Sequence, residues 1–210
     1  MDKEMLGKLS ALIDENKGKR KFTQSVDMIV NFSGVDFSKP DNRLNAAIML
    51  PNGKGKTSGV IVFSDDRTLA ENAQSLGAKV IKSSELPSLA NDKTAMSSLL
   101  KAELLAQPAL MPQIAKALGQ VLGPRNKMPK PLIGTDVSTA INNISKSIFV
   151  RSKGKYLPTA HCTVGNEKMA TEQIAQNVDE VLGTFAKKPG KQYIKSVFLK
   201  LTMSKPVRLV

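Results

Sequence analysis

The sequence predicts an α/β protein of two domains, an α+β sandwich built from both chain ends and a second domain of alternating strands and helices inserted between them. Three observations carry this. Strands with period-two apolar positions lie near both termini, a four-residue strand apolar on both faces opens the middle, and a Gly/Pro/Asn cluster over residues 51–56 separates the two textures.

In chain order, Lys3 to Asn16 sets Met5, Leu9, Leu12 and Ile13 on one helical stripe, and Gly18 within the basic run Lys17, Lys19, Arg20, Lys21 closes that helix. Phe22 to Phe32 alternates Val26, Met28, Val30 and Phe32 with polar Ser25, Asp27 and Asn31, as a half-buried strand does. A second strand is expected over Arg43 to Leu50. Then Val60-Ile61-Val62-Phe63, bounded by Gly59 and Ser64-Asp65-Asp66, reads as a strand of a parallel sheet covered on both faces. Arg67 to Leu76 follows as a helix capped by the Asp pair, Ala78 to Lys82 as a short strand, and Leu110 to Leu122 and Asp136 to Ile148 as helices. This alternation makes a small doubly wound, Rossmann-like three-layer domain.

Beyond it, Thr159 to Val164 and Ile194 to Met203 read as strands, the second alternating Val197, Leu199 and Leu201. Thr171 to Phe185 reads as a helix turning Ile174, Val178, Val181 and Leu182 inward. The domains are therefore placed at 1–60 with 151–210, and at 61–150. Linkers near Pro51 to Ser58 and Val150 to Leu157 would form a double hinge.

Composition excludes several function classes. With 210 residues, 41% hydrophobic and 23% charged, the chain folds and needs no partner to bury a core. No apolar run nears the roughly eighteen residues of a membrane span, and Asp2 and Glu4 stand where a signal peptide is basic and then apolar, so a cytoplasmic, membrane-free location is expected. One Cys162 and one His161 supply neither a disulfide nor the ligands of a zinc site. As neighbours on a strand they face opposite ways, so they make no catalytic dyad. Asn52-Gly53-Lys54-Gly55-Lys56-Thr57 looks superficially like a phosphate-binding loop, but its glycine spacing is wrong and no strand-loop-helix frames it. No enzyme, cofactor or metal is expected.

Charge gives the positive lead. Thirty-one Lys+Arg against 18 Asp+Glu give a net +13, the footprint of a polyanion binder, with nucleic acid the leading partner. Residues 151–210 carry eleven basic and four acidic groups, against ten and seven in each of 1–60 and 61–150. Aromatics are only 4% of the chain, with two Tyr and no Trp, so recognition through backbone and RNA shape is favoured over base stacking.

Two segments stand out. Leu122 to Pro131 strings three prolines among Arg125, Lys127 and Lys130, a stiff basic loop suited to a phosphate backbone or to solubility alone. Val164-Gly165-Asn166-Glu167-Lys168-Met169 and Leu201-Thr202-Met203-Ser204-Lys205-Pro206 close two strands with small and hydroxyl-bearing residues. Such residues let RNA approach the backbone; a turn explains them equally well.

These blocks, with Lys21-Phe22-Thr23-Gln24-Ser25 and Leu50-Pro51-Asn52-Gly53-Lys54-Gly55-Lys56, resemble in order the family of the large-subunit ribosomal protein L-one, in its archaeal form. The resemblance implies a monomer when free, bound in the ribosome to the stalk region of large-subunit rRNA. It also implies a part in release of exit-site tRNA through the stalk and, in many members, repression through the protein's own mRNA. Residue by residue it implies RNA contacts at Lys21, Phe22, Ser25 and Asp27 and at Gly165, Lys168, Ser196, Thr202, Met203 and Ser204, with Arg125, Lys127 and Lys130 as a secondary basic loop. A stand-alone translational repressor or RNA chaperone is the alternative. The chain departs from the family's usual pattern in two places: Thr202-Met203-Ser204-Lys205-Pro206 stands where Thr-Met-Gly-Pro is usual, the glycine replaced and a residue inserted before the proline, and Asn126 stands where the basic loop often has Gly.

Overall fold

Along the first strand, Val26, Met28, Val30 and Phe32 are buried while Ser25, Asp27, Ile29 and Asn31 are half-buried, the two-residue period of the sequence made physical. The computed structural model describes residues 3–39, 42–56, 59–132, 136–151 and 157–209. In chain order its elements are α1 (Lys3–Asn16), β1 (Ser25–Phe32), β2 (Asn45–Met49), β3 (Val60–Phe63), α2 (Arg67–Ser75), β4 (Lys79–Ile81), α3 (Leu86–Asn91), α4 (Lys93–Lys101), β5 (Glu103–Ala106), α5 (Met111–Leu122), β6 (Lys130–Pro131), α6 (Val137–Lys146), β7 (Ser147–Arg151), β8 (Thr159–Asn166), α7 (Thr171–Phe185), β9 (Ile194–Leu201) and β10 (Val207–Arg208).

The chain divides into two compact units, Met1–Lys56 with Lys146–Val210, and Thr57–Ser145. In the first, an antiparallel sheet runs β10-β9-β1-β8, and a separate antiparallel pair joins β2 to β7. Leu9, Leu12 and Ile13 of α1 and Ile174, Val178, Val181 and Phe185 of α7 share one core with the inward residues of the sheet. Each such buried side chain contributes about 1.5–3 kcal/mol. The rings of Phe37 and Phe185 each meet Phe32 edge-on, with centroids 5.5 Å apart. The other face of the sheet carries Ser25, Asp27, Ile29 and Asn31, all half-buried.

In the second unit, β4-β3-β5-β6 are all parallel. Ile61, Phe63, Leu104 and Ala106 pack on Leu99, Ile114, Leu118 and Leu122. On the opposite face Val60, Val62 and Leu105 pack on Leu69, Ala73, Val137 and Ile144. Four consecutive buried residues in β3 are what a strand between two helical layers requires, and the three-layer α/β fold expected from the sequence is the one formed.

The structure corrects several local expectations. The helix expected over Asp136 to Ile148 ends at Lys146, and Ser147–Arg151 is a strand: Ile144 and Ile148 fit a helical spacing, but Ile148 and Val150 reach the first unit's core by alternation, paired to β2. The Asp pair divides its work. Asp66 caps α2 by accepting from the Thr68 and Leu69 amides, whereas Asp65 accepts from Ser83 N at 2.8 Å, beyond the end of β4. Lys130 and Pro131 are not all loop but form the outer strand β6, where proline's missing N–H costs little. The strands expected over Phe22 to Phe32 and Ile194 to Met203 start and stop at Ser25 and Leu201, and β8 runs on to Asn166.

The expected linkers fall partly on Thr57, Ser58 and residues 152–156, which lie outside the described residues. Within the described part, Asn177 Nδ2 donates to Gly53 O at 2.9 Å and Asn166 Nδ2 to Gly55 O at 2.6 Å, so residues 53–55 are fastened to the first unit. Among the described residues no helix is long and apolar enough to cross a membrane.

Candidate nucleic-acid interface

Antiparallel pairing brings three sequence blocks to one end of the four-stranded sheet. Ser25 lies opposite Asn166, and Val26 lies between Gly165 on one side and Leu201 on the other. A bulge between Val26 and Asp27 in the β1–β8 ladder, where the partner skips from Gly165 to Thr163, re-aims the end of β8. The start of β1, the end of β8 and the turn after β9 thus form one cluster.

Its hydrogen bonds tie these blocks together. Thr202 Oγ1 accepts from Ser25 N at 3.1 Å and lies 3.1 Å from Ser25 Oγ. Thr163 Oγ1 donates to Asp27 Oδ1 at 2.8 Å, and Ser25 Oγ approaches Asp27 Oδ2 at 3.5 Å. Beneath them Gln24 is buried: its Nε2 donates to Asn16 O and to Glu167 Oε2, both at 3.1 Å, and its Oε1 accepts from Met203 N at 3.2 Å. Glu167 N donates in turn to Gln24 O at 3.0 Å. One amide therefore joins the end of α1 to two strand ends.

The turn that departs from the family's usual wording is held by its own serine. Ser204 Oγ accepts from Leu201 N at 2.8 Å, and Ser204 N donates to Leu201 O at 3.2 Å, so the hydroxyl closes the turn that a glycine would otherwise make by backbone alone. Asn126 takes φ 53° in the basic loop, the left-handed conformation that Asn tolerates best after Gly.

Around the cluster, Phe22 and Met203 remain 50% and 58% exposed, two large apolar side chains left in water. Lys17, Lys19, Arg20 and Lys21 are exposed on the connection just before Phe22, and Lys168 is exposed beside Glu167. Exposed cations close in sequence to exposed apolar groups and hydroxyls can hold phosphates while the apolar groups exclude water.

Not every residue singled out in the sequence joins this cluster. Ser196 lies opposite Asn31, six residues and about 20 Å along β1 from Ser25, and accepts from Asn31 Nδ2 at 3.0 Å. Gly165 is buried, and a Cβ there would sit 3.1 Å from both Ile174 Cγ1 and Met169 Sδ, so close packing against these side chains already favours glycine. In the second unit Lys127 Nζ donates to Ala102 O at 3.2 Å and lies 3.8 Å from Glu103, Lys130 belongs to β6, and Arg125 is exposed. Sequence reasoning missed the roles of Gln24 and Glu167, since nothing local marks a bond between residues 143 positions apart.

No hydrolytic constellation forms among the described residues. His161 is exposed on the open face of the sheet, while Cys162 faces the core. Burial, helped by the Asp27 charge, pushes the Cys162 thiol up to about 12, far from a thiolate nucleophile. No three His, Cys, Asp or Glu side chains gather as metal ligands among the described residues.

Residues 12–205 match the Ribosomal protein L1p/L10e family. The chain is 40% identical to the large ribosomal subunit protein uL1 of Methanocella arvoryzae, covering 93% of each chain. It is 36% identical to that of Methanocaldococcus jannaschii, covering 100% of this chain and 96% of the relative. With that of Pyrococcus horikoshii the identity is 38%, over 90% of this chain and 88% of the relative.

Proposed function

The chain belongs to the ribosomal protein L1p/L10e family, a family of ribosomal proteins and not of enzymes, and on that premise we propose that it is a component of the large ribosomal subunit. It binds the stalk region of large-subunit rRNA in the cytoplasm. The unit built from both chain ends, Met1–Lys56 with Lys146–Val210, is the RNA-binding domain, and the inserted unit, Thr57–Ser145, acts on exit-site tRNA as the stalk moves. The same surface represses translation by binding the protein's own mRNA.

The convergence of Ser25, Thr202 and the Gly165–Lys168 block beneath exposed Phe22 and Met203 carries the RNA-binding part of this reading. Its mechanism is shape recognition. Hydroxyls and amides fixed at three strand ends meet RNA ribose and phosphate at little entropic cost, because Gln24 already holds the turn. Phe22 and Met203 exclude water from those contacts, while the cations from Lys17 to Lys21 and Lys168 neutralise phosphates.

Sedimentation of the protein with large ribosomal subunits through high-salt gradients tests the assignment. Co-migration with the subunit is the expected result. Protein that stays at the top of the gradient would contradict it and leave a free repressor.

A further inference from the structure

Glu167 is out of place for a polyanion site. In a chain of net charge +13 it puts a carboxylate among the strand ends, where it repels phosphate. The residue keeps only 5% of its accessible surface. Its Oε2 accepts from Gln24 Nε2, and no ion pair or second hydrogen bond reaches the side chain among the described residues. No fully enclosed side-chain nitrogen or oxygen lacks a partner among the described residues, so Oε1 is not fully enclosed.

The Gln24 amide that binds Oε2 also donates to Asn16 O and accepts from Met203 N, so one side chain links Glu167 to the end of α1 and to the exposed Met203 turn. A desolvated carboxylate with one oxygen satisfied and the other open calls for a neutral or cationic donor. RNA carries two kinds of neutral donor, ribose 2′-hydroxyls and base amino or imino groups.

Resting on the RNA-binding reading above, we infer that Glu167 is a specificity-determining residue, whose Oε1 accepts a hydrogen bond from an RNA donor while Gln24 holds Oε2. The carboxylate weakens general attraction to RNA and is repaid only by an RNA that presents a donor at that point. Discrimination, not total affinity, is what it supplies.

The test uses the full chain and compares wild type with Glu167→Gln on a stalk-region rRNA fragment and an unrelated hairpin of equal length. In glutamine one of the two carboxylate oxygens becomes an NH2, so with its carbonyl turned to Gln24 Nε2 the amide meets the RNA donor with a donor of its own. Stalk binding is expected to fall by roughly tenfold while hairpin binding holds or rises, because a negative charge is lost. Both RNAs meet the same preparation, so partial unfolding would lower both and leave the ratio unchanged. Glu167→Asp, which keeps the charge but withdraws it by one methylene, is expected to lose the ratio without the rise on the hairpin.

Stalk RNAs with 2′-deoxy substitutions, or with bases lacking amino groups, identify the donor as the one whose removal makes wild type and Glu167→Gln bind alike. A difference that persists on both series overturns the inference, as does a stalk-to-hairpin ratio that Glu167→Gln leaves unchanged. Wild-type protein that fails to prefer the stalk RNA at all instead overturns the RNA-binding reading on which this rests.

Discussion

Thr202 Oγ1 lies 3.1 Å from both the amide nitrogen and the hydroxyl of Ser25, a residue 177 positions earlier. This one oxygen joins the start of the first strand to the turn after the ninth, and it does so at a half-open edge where water can replace it in the free protein. The bond is therefore a poor source of stability and a good means of fixing two hydroxyls for a partner.

Thr202→Ala should accordingly lower affinity for stalk-region RNA by roughly 1–3 kcal/mol while changing unfolding stability by less than about 1 kcal/mol. Thr202→Ser, which keeps the oxygen, should retain most of the affinity. Parallel RNA titration and urea unfolding check this; wild-type affinity in Thr202→Ala would remove the residue from the site.

Gln24 is the opposite case, buried and joined to Asn16, Glu167 and Met203. Gln24→Ala leaves a carboxylate oxygen, an N–H and a carbonyl without their partner, and should cost roughly 2–4 kcal/mol in urea unfolding. Gln24→Glu should be worse at neutral pH, where two carboxylates face each other, and should recover toward pH 4 as one takes a proton and donates to the other. A loss independent of pH would show that charge repulsion is not the cause.

Two glycines with nearly the same φ separate strain from crowding. Gly18 and Gly55 have φ of 71° and 68°, but a Cβ at Gly18 meets nothing within 4 Å, whereas one at Gly55 would lie 2.6 Å from Met169 Sδ and 2.7 Å from Asn166 Nδ2. Gly18→Ala should cost about 1 kcal/mol of backbone strain. Gly55→Ala should cost roughly 1–3 kcal/mol more, because the displaced Asn166 amide is the one that donates to Gly55 O. Equal losses in thermal unfolding would contradict the crowding.

How far the sequence reveals this arrangement depends on whether a signal is local. The Val60–Phe63 run, the stripe of α7 and the alternation of β1 all report their surroundings through their own residues, and each forms as expected. Ser147–Arg151 does not, because Ile144 and Ile148 continue a helical spacing and only pairing with β2 decides the matter. Likewise Leu99, Leu100, Leu104 and Leu105 run a helix into a strand without a Gly or Pro between them, so α4 and β5 carry no mark of their boundary. At the site, the family resemblance supplies Ser25 and Thr202. Gln24 and Glu167 emerge only when strand register brings two polar residues together under a turn.

Acid should act on the inserted unit through its helix caps. The Thr68, Thr94 and Thr139 hydroxyls first, and backbone amides second, hold the carboxyls of Asp66, Asp92 and Asp136 below the usual carboxylate range. A group depressed in the folded state stabilises above its unfolded pKa, near 3.9, and loses that contribution as pH falls through the folded value. Stability should therefore decline below about pH 4. Replacing all three by Asn, which caps almost as well without titrating, should flatten that decline. An unchanged acid profile would mean that other carboxylates dominate.

Binding of the full chain to a stalk-region fragment of large-subunit rRNA, beside an unrelated hairpin of equal length and across a salt series, tests the central claim most directly. If about six phosphates are neutralised, affinity should fall by roughly a thousandfold between about 50 and 200 mM salt, with a large preference for the stalk RNA surviving at the high end. Equal binding to both RNAs that vanishes together with rising salt would reduce the interaction to net charge and contradict a built site at the strand ends.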